Sequence, residues 1–376
     1  MRPKKIISQI KKPDYVLAGL VLGLSVFGLM MVYDVSAVLA HETWGDKLWL
    51  FKNQSLWLFF GLSICYLASK IDYHYWKKLA LPLLLASILG LILVLLPGFS
   101  SEVMGSRRRL ALPLGIPILT HLNIQPSELA KFSLVLFLSL WLGEEKKKKN
   151  ISFFLPFLLL LAITAGLVVL EPDLGTTIVI GASALLVYFL SGTGLAEVSL
   201  ISLILAIGGI FLAFSSEYRF NRLLAFFRQS QDKLGIAYHI NQILIALGSG
   251  GLFGLGLGQS RQKYQYLPEV ATDSIFAIIG EELGFLGTSI IVVSFLVLIW
   301  RGLKIAEQAP DKFGKLLAGG ITGIIGIQAM VNLCAMTGWI PLTGVPLPFI
   351  SYGGSSLTIL LLGMGILLNI SGRVKE

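Results

Sequence analysis

Long apolar segments alternate with short polar segments along the whole chain. Runs such as 15–33, 79–96 and 153–170 contain no charged residue, and each is close to the roughly 20 residues that a helix needs to cross a bilayer. The pattern predicts an all-α membrane protein, a polytopic bundle of about ten transmembrane helices. The predicted spans lie at 14–36, 50–69, 79–97, 127–143, 152–170, 174–192, 195–214, 273–300, 316–336 and 352–371.

One long segment, about 215–272, interrupts this pattern within a single integral membrane domain over 1–376. Its first half is too polar to span, and its second half, IALGSGGLFGLGLGQS, is rich in glycine. A loop of this length is usually functional. The glycines do not form a dinucleotide-binding fingerprint, because Phe253 stands where the third glycine is needed. They predict close helix approach or a re-entrant segment.

Composition supports the membrane assignment. Hydrophobic residues make up 55% of the chain and charged residues 14%, against about 25% charged residues in soluble domains. Cys65 and Cys334 lie in apolar segments without a CxxC pair, which is typical of small buried hydrophobic residues.

The N-terminal basic stretch, apolar run and SAVLA resemble a secretory signal. We expect no cleavage, because the apolar run is long and many spans follow.

The net charge of +9 would suit a nucleic-acid partner, but the basic residues cluster in short loops between apolar runs. That clustering is expected where Lys and Arg fix membrane topology and meet anionic lipid. The prediction is therefore a multi-pass protein of the plasma membrane with both termini in the cytoplasm, the 215–272 loop outside and no nucleic-acid partner. The predicted inside segments carry Arg2, Lys4, Lys5, Lys11, Lys12, Lys70, Lys77, Lys78, Lys146 to Lys149, Arg301, Lys304, Lys312, Lys315, Arg373 and Lys375.

Three carboxylates stand at the eighth predicted span, in YLPEVATDSIFAIIGEELG, residues 266–284. Asp273 has two interpretations: a helix N-cap or first-turn acid, or a general base at the outer membrane surface, with a raised pKa, that takes a proton from a substrate hydroxyl. Glu281 and Glu282 lie about 12 Å further along a continuous helix. Glu281 is there about 80° around the axis from Asp273 and Glu282 is opposite. We expect Glu281 in the same polar cavity and Glu282 in a pair with another helix.

Two further motifs place charge near span ends. In QPSELAKF, residues 125–132, Glu128 and Lys131 share a helix face. They form either a structural ion pair or a site where the Lys131 ammonium meets an anionic head group. In EPDLGTT, residues 171–177, Pro172 and Asp173 are ordinary turn and cap residues, so a structural role is favoured.

The long loop and the last loop supply the remaining candidates. Arg219, Arg222, Arg261 and Lys263 form either a solvated loop face or a set that stabilises a pyrophosphate leaving group. TGVPLPFISYGGSS, residues 343–356, predicts an irregular backbone that contains the candidate substrate-binding residue Ser351. Such a backbone at membrane depth must be buried in protein or line a cavity.

Taken together, five motifs resemble the SEDS family, the shape, elongation, division and sporulation proteins FtsW, RodA and SpoVE. They are IQPSELAK, LEPDLGTT, YRFNRLLAFF with GSGGLFGLGLGQSRQKYQYLPE, YLPEVATDSIFAIIGEELG, and TGVPLPFISYGGSS. They run in family order from about residue 105 to 370, and the ten-span layout matches as well.

The resemblance implies a peptidoglycan glycosyltransferase that polymerises lipid II and works with a class B penicillin-binding protein and other division or elongation proteins. By position, Asp273 matches the family's essential acid, and Glu128 and Lys131 match the polar pair of the fourth span. Asp273 would take the proton from the 4-hydroxyl of an acceptor N-acetylglucosamine. Lys131 and the loop arginines would offset the charge of the leaving undecaprenyl pyrophosphate. We expect a Mg²⁺ or Mn²⁺ ion, although no spacing of metal-binding residues in the sequence indicates one. No organic cofactor is expected.

The sequence departs from the family pattern in three places. Leu110 stands where the family commonly has Trp, Ser274 stands where an aromatic is common, and the tract FFRQSQDKLGIAY differs from the usual loop. These departures bear on loop contacts more than on the chemistry. The wording of LEPDLGTT, the FKNQ tract at 51–54 and TGVPLPFISYGG favours the septal division branch over the elongation branch.

Two other classes of function stay open at this point. A transporter that flips lipid II would also place charges within the bundle, although the sequence shows no internal repeat of the kind transporters often have. The second of these classes is a non-catalytic scaffold of a wall-synthesis complex. Polymerisation of lipid II in detergent, where no sidedness exists, separates the enzyme from both.

Overall fold

The computed structural model describes residues 12–103, 106–110, 124–144, 153–227, 237–264 and 266–373. Most of the tract FFRQSQDKLGIAY, residues 226–238, lies outside these ranges. The following basic residues of the predicted inside segments also lie outside them: Arg2, Lys4, Lys5, Lys11, Lys146 to Lys149 and Lys375.

The described chain is built from helices and one small hairpin. The helices are α1 (Tyr15–Trp44), α2 (Trp49–Lys70), α3 (Trp76–Leu95), α4 (Pro126–Gly143), α5 (Phe154–Leu170), α6 (Leu174–Leu190), α7 (Leu195–Phe214), α8 (Glu217–Phe227), α9 (Tyr238–Ser249), α10 (Ile275–Glu307), α11 (Lys312–Met336) and α12 (Gly354–Ser371). A 3₁₀ turn at Tyr73–Tyr75 precedes α3. Strands β1 (Ser100–Val103) and β2 (Ser106–Leu110) pair antiparallel.

Every predicted span is helical, and most helix ends fall within a few residues of the prediction. In the described chain, seven helices are long and apolar enough to cross a membrane: α1, α3 (with its 3₁₀ turn), α4, α7, α10, α11 and α12. Apolar helices α5 and α6 are shorter, at 17 residues each. A polytopic membrane bundle is confirmed, whereas the count of ten crossings stays a prediction.

Two parts of the predicted loop at 215–272 are helical. It contains α8 and α9, which were not predicted, followed by the glycine-rich segment. Helix α8 is amphipathic, with one polar and one apolar face. Its polar residues make the segment as a whole too polar for a membrane span, so no helix was predicted there.

Helix α11 lies at the centre of the bundle and packs against α4, α6 and α10. Within its membrane-length window 78% of residues are buried, against 6% for α7, which lies at the periphery. Side chains of neighbouring helices fill the spaces beside the glycines of α11: a Cβ on Gly320, for example, would lie 2.4 Å from a Val135 methyl group. Small residues allow this close approach in membranes, where packing contacts drive helix association.

Helix α10 is broken in its first third. Gly284 has φ 67° and ψ −166°, which interrupts the helix two residues after Glu282. The glycine-rich segment repairs the break: the N–H groups of Leu255 and Gly256 donate to the carbonyls of Glu281 and Glu282, at 2.9 and 3.0 Å. In the opposite direction, the N–H groups of Phe285 and Leu286 donate to the carbonyls of Gly251 and Leu252, at 2.9 and 3.1 Å.

Glycines in the segment allow this backbone contact, as predicted for them. A Cβ on Gly250 would lie 1.9 Å from the Gly280 carbonyl oxygen, and one on Gly254 would lie 2.0 Å from the Glu282 carbonyl oxygen. The segment therefore packs backbone against backbone on α10, which no larger residue at these positions permits.

We predict that Gly250→Ala destabilises the protein and that Gly248→Ala does not. Gly250 has ordinary helical dihedral angles, so only the steric conflict with Gly280 is tested, at a cost of about 1–3 kcal/mol. A Cβ on Gly248, in the same helix, meets nothing within 4 Å. Thermal unfolding in detergent should show a lower midpoint for Gly250→Ala alone; equal midpoints would contradict the backbone packing.

Candidate functional site

Asp273 lies in a tight turn just before α10 and is 6% exposed. The Glu269 carbonyl accepts hydrogen bonds from the N–H groups of Thr272 and Ser274, at 3.1 and 3.2 Å. The Thr272 hydroxyl donates to the carboxylates of Glu269 at 2.6 Å and Asp273 at 3.3 Å. The N-cap position belongs to Ser274, and no side chain there makes a capping bond. The capping interpretation of Asp273 is therefore wrong, and its carboxylate is buried for another reason.

Arg222 of α8 is the cation nearest to this carboxylate among the predicted basic set. Its Nη1 donates to the Leu342 carbonyl at 3.1 Å. A Cβ on Gly344 would lie 3.7 Å from that Nη1 and 4.0 Å from an Asp273 carboxylate oxygen. A side chain at Gly344, which has φ +72°, would therefore contact both the Asp273 carboxylate and the Arg222 guanidinium.

The electrostatics of Asp273 follow from this placement. Burial, and next the negative charge of Glu269, raise the pKa of the Asp273 carboxyl to about 6, against a smaller opposing effect of Arg222. Burial and the same guanidinium lower the pKa of His239 to about 4, and His239 Nε2 lies 2.9 Å from the Ser274 hydroxyl. A carboxylate with a pKa near 6 is ionised at neutral pH and is a better proton acceptor than an ordinary Asp.

Asp273 faces the irregular segment 342–353, which polar side chains of three helices hold in place. The Asn332 side-chain amide of α11 donates to the carbonyls of Asp273 and Val345, at 2.9 and 2.8 Å. Gln54 of α2 donates to the Ser351 carbonyl at 3.4 Å and accepts from Gly353 N–H at 3.3 Å. The prediction of an irregular backbone buried in protein is confirmed.

Ser351 has a place inside this segment. Its hydroxyl accepts a hydrogen bond from Leu347 N–H at 2.8 Å, and its own N–H donates to the Leu347 carbonyl at 3.1 Å. The side chain closes a turn around Phe349, which has φ 64°. The structure gives Ser351 a role in shaping the segment; substrate contact stays a prediction.

The predicted pair in α4 is present and buried. Lys131 Nζ donates to a Glu128 carboxylate oxygen and to Gln328 Oε1, both at 2.8 Å. The second Glu128 oxygen is buried without a hydrogen-bond partner in the described chain. The ion-pair interpretation is confirmed for the structure, and contact with an anionic head group stays a prediction.

Glu281 and Glu282 bind the glycine-rich segment rather than Asp273. Glu281 accepts hydrogen bonds from the Ser260 hydroxyl and from the N–H groups of Arg261, at 3.1 Å, and Gln262, at 3.3 Å. Glu282 accepts from Gly258 and Ser260 N–H groups, both at 3.0 Å. The expectation that Glu281 lies beside Asp273 is wrong: it assumed that the helix begins at Asp273, whereas α10 begins at Ile275, and the Glu281 carboxylate binds residues 260–262 instead.

Lys263 joins Glu282 to the first helix. Its ammonium lies 2.9 Å from a Glu282 oxygen and 2.9 Å from an oxygen of Asp34 in α1. Glu282 is therefore paired with helix α1, as expected, but through Lys263, which binds both carboxylates. Lys263 and Glu282 are buried, so the pair anchors the segment inside the bundle.

The four predicted basic residues therefore do not form one cluster. Arg219 donates to the carbonyls of Val169 at 2.9 Å and Leu212 at 3.5 Å, at the ends of α5 and α7. Arg261 is exposed, and Lys263 forms ion pairs with Asp34 and Glu282. Of the four, only Arg222 approaches Asp273. Arg219 and Lys263 hold parts of the fold together.

Residues 171–173 connect α5 to α6 as the turn motif predicted. Asp173 is the N-cap of α6 and accepts hydrogen bonds from the Thr176 N–H at 3.0 Å and hydroxyl at 2.9 Å. Arg108 donates to the carbonyls of Glu171 at 3.2 Å and Pro172 at 2.7 Å. Burial, and next the charge of Asp173, raise the pKa of Glu171 to about 8. The predicted cap role is confirmed for Asp173, whereas the Glu171 carboxylate has no hydrogen-bond partner in the described chain.

The described residues do not form a ready-made metal centre. No group of three or more His, Cys, Asp or Glu side chains in this part of the chain gathers closely enough to hold an ion. Asp273 and Glu269 are two neighbouring carboxylates, fewer ligands than a dedicated protein site provides. No step below is therefore assigned to a metal.

Comparison with known proteins supports the sequence resemblance. The FtsW/RodA/SpoVE family model, described as cell cycle protein, matches residues 15–376. The chain belongs to this family. A probable peptidoglycan glycosyltransferase FtsW of Trichlorobacter lovleyi is 39% identical over 364 residues, covering 96% of this chain and 94% of that protein. Stage V sporulation protein E of Bacillus subtilis is 40% identical over 363 residues, covering 96% and 97%.

Solved structures of the family have the same fold. A chain from a study of how a peptidoglycan synthase complex coordinates polymerization and crosslinking aligns with a TM-score of 0.75 at 28% identity, covering 96% of this chain and 97% of that chain. The rod shape determining protein RodA of Thermus thermophilus aligns with a TM-score of 0.70 at 28% identity, covering 97% and 98%.

Several residues of this family member escaped the sequence analysis. They are Asp34, Gln54, His239, Glu269, Gln328 and Asn332, which hold the segments around Asp273 and Lys263. The sequence does point to three of them, because a polar residue within an apolar run needs a hydrogen-bond partner inside the bundle. Asp34, Gln328 and Asn332 each stand in such a run.

We predict that Lys263→Met destabilises the protein strongly. Removing one partner leaves the buried carboxylate of Glu282 and that of Asp34 without their cation, at a cost of about 3–5 kcal/mol. Arg261→Met is the matched control, because the Arg261 side chain is exposed and its N–H bond to Glu281 comes from the backbone. Thermal unfolding in detergent checks both variants. Equal stability of the two would show that the buried pair does not anchor the segment.

Proposed function

We propose that the protein is a peptidoglycan glycosyltransferase of the FtsW type that polymerises lipid II into glycan strands for the division septum. The observation that carries the proposal is the buried carboxylate of Asp273 near Arg222: a Cβ on Gly344 would lie 4.0 Å from the first and 3.7 Å from the second. An acid that can take a proton and a cation that can face a departing anion meet at one place. Family membership over residues 15–376 makes peptidoglycan synthesis the setting for that chemistry.

The proposed step is a displacement with inversion. Asp273 takes the proton from the 4-hydroxyl of the acceptor N-acetylglucosamine as that oxygen attacks C1 of the donor sugar. The new bond joins O4 to C1, while the bond from C1 to the pyrophosphate oxygen breaks. The electron pair of that bond leaves with undecaprenyl pyrophosphate, and the proton on Asp273 is later released to water.

Arg222 is the residue assigned to the leaving group. A guanidinium binds phosphate oxygens through paired, charge-assisted hydrogen bonds, and stabilising charge that develops in the transition state is a large term in catalysis. Lys131 is retained in the proposal as a second cation toward the substrate head group. A Mg²⁺ or Mn²⁺ requirement also stays a prediction, without a role in the derived step.

The proposal includes a location and partners. Asp273 lies at the outer face of a bacterial inner membrane, with both termini in the cytoplasm, and the site receives lipid II from that face. A class B penicillin-binding protein crosslinks the glycan strands that this chain makes. The similarity to a chain studied in a peptidoglycan synthase complex supports such a partner.

We predict that Asp273→Asn abolishes polymerisation. The substitution keeps the shape and removes the base, and loss of a general base typically costs about 10²- to 10⁴-fold in rate. Purified protein with its partner is incubated with lipid II in detergent, and glycan strands are resolved by gel electrophoresis.

The matched control is Asp311→Asn at the opposite end of the bundle. Asp311 caps α11 through Gly314 N–H at 2.9 Å, and Asn is an equally good cap, so this variant should polymerise normally. Polymer from Asp273→Asn would overturn the assignment of the base. Absence of polymer from the unaltered protein with every partner tried would instead support a flippase or scaffold.

We also predict that activity falls on the acidic side of about pH 6. A raised pKa means that Asp273 becomes protonated as the pH falls through about 6, and a protonated acid cannot accept the substrate proton. The value of kcat/KM should therefore drop about tenfold per pH unit below that point. Glu269→Gln removes the charge that raises this pKa, so the acidic limb should move to lower pH.

The control for the pH profile is Glu307→Gln, at the far end of α10, where the side chain is exposed. This variant should leave the acidic limb in place. An acidic limb that stays unchanged in Glu269→Gln would show that the limb reports a group other than Asp273.

A further inference from the structure

Helix α11 contains only two side-chain amides, Gln328 and Asn332, which are four residues apart. Four residues are about one helical turn, so both side chains lie on one face. Both are fully buried. In a low-dielectric interior, an amide group without hydrogen-bond partners costs several kcal/mol. Both nitrogens and Gln328 Oε1 have partners, whereas Asn332 Oδ1 has none in the described chain.

Asn332 joins two backbone segments. Its Nδ2 donates one hydrogen to the Asp273 carbonyl at 2.9 Å and the other to the Val345 carbonyl at 2.8 Å. The first of these hydrogen bonds holds the backbone of Asp273, the residue whose side-chain carboxylate is the proposed base. Asn332 therefore fixes the base relative to the segment that contains Gly344.

Gln328 makes the corresponding link on the next turn. Its Nε2 donates to the Pro346 carbonyl at 3.0 Å, and its Oε1 accepts from Lys131 Nζ at 2.8 Å. Lys131 in turn holds Glu128 at 2.8 Å. Gln328 therefore fixes the buried ion pair of α4 relative to the same segment.

The two carbonyls that receive these bonds belong to consecutive residues, Val345 and Pro346. One short stretch of backbone thus connects Asp273 to the Lys131 pair through two neighbouring amides of one helix. A shift of the 343–346 segment or a rotation of α11 would move both polar centres relative to each other. Pro346 adds stiffness because its ring fixes φ.

We propose that Asn332 and Gln328 are positioning residues that hold Asp273 and Lys131 in one fixed arrangement through the backbone at 345–346. The inference rests on the proposed function in that it takes Asp273 as the base. Neither amide acts on the substrate. Their effect is geometric, and displacing a reacting group by about 1 Å can cost on the order of 100-fold in rate.

The test measures kcat and KM for lipid II polymerisation by Asn332→Ala, Asn332→Ser and Gln328→Met, each normalised to folded protein. Asn332→Ala should lower kcat by about 10- to 100-fold with little change in KM. Asn332→Ser keeps one donor and should recover part of that loss. Gln328→Met keeps the length of the side chain without its polar atoms and should also lower kcat.

Asn369→Ala is the matched control. Asn369 of α12 also joins two backbone groups, because its Nδ2 donates to the Ser69 carbonyl at 2.8 Å and its Oδ1 accepts from Tyr73 N–H at 3.0 Å. This clamp lies at the Asp72 end of the bundle, away from Asp273. A purely structural role predicts that Asn332→Ala and Asn369→Ala behave alike, with lower unfolding midpoints and normal kcat per folded molecule.

The outcomes separate the two claims. Inactive Asp273→Asn together with wild-type kcat in the folded Asn332 and Gln328 variants overturns the positioning role and leaves the proposed function intact. Active Asp273→Asn overturns the proposed function itself. If Asn332→Ala does not fold, Asn332→Ser and Gln328→Met decide: reduced kcat in both supports the inference, and normal kcat in both overturns it.

Discussion

The need to satisfy backbone hydrogen bonds at membrane depth governs this structure. Inside a bilayer a free N–H or carbonyl group has no water to bind, so irregular backbone survives only where protein supplies its partners. Helix α10 breaks at Gly284, and the glycine-rich segment supplies bonds in both directions across the break. The close backbone contacts of Gly250 and Gly254 are the condition for that repair. Without them the first turns of α10, and Asp273 ahead of them, would lack a fixed place.

The segment 342–353 meets the same need by a different route. Its partners are mainly side chains of neighbouring helices, such as Gln54, Arg222 and Asn332. One backbone bond adds to them, in which Tyr352 N–H donates to the Ala271 carbonyl at 2.8 Å. Two irregular segments are thus fixed in different ways, one by glycines and one by amides and a guanidinium. The backbone near Asp273 can then be irregular while the bundle around it stays regular.

Much of the fold could be predicted from the sequence, since an apolar run of bilayer length has few alternatives to a helix. The ends of α2, α4 and α12 followed from this pattern alone. The break at Gly284 could not be predicted, because a glycine in an apolar run is common in unbroken membrane helices. Glu281 was placed beside Asp273 for a different reason: the helix was assumed to begin at Asp273, whereas it begins at Ile275 and leaves Asp273 in the preceding turn.

The candidate site divides in a similar way. Asp273 and the Glu128–Lys131 pair stand in short motifs, where spacing along one helix is informative. The approach of Arg222 to Asp273, and the dispersal of Arg219, Arg261 and Lys263, depend on how α8 and the glycine-rich segment pack. Contacts between residues far apart in the chain have no local signature, so periodicity could not separate the four.

The bond between Asp34 and Lys263 also bears on how the chain is made. The two residues are 229 positions apart, and synthesis proceeds from the N-terminus. Helix α1 therefore enters the membrane with a carboxylate whose cation does not yet exist. The ion pair of α1 with Lys263 can therefore form only after the glycine-rich segment has been made. Glu282 follows Lys263 by only 19 residues, so the cation is already present in the chain when α10 is synthesised. A nascent chain that ends before residue 263 contains α1 without the cation that pairs with Asp34.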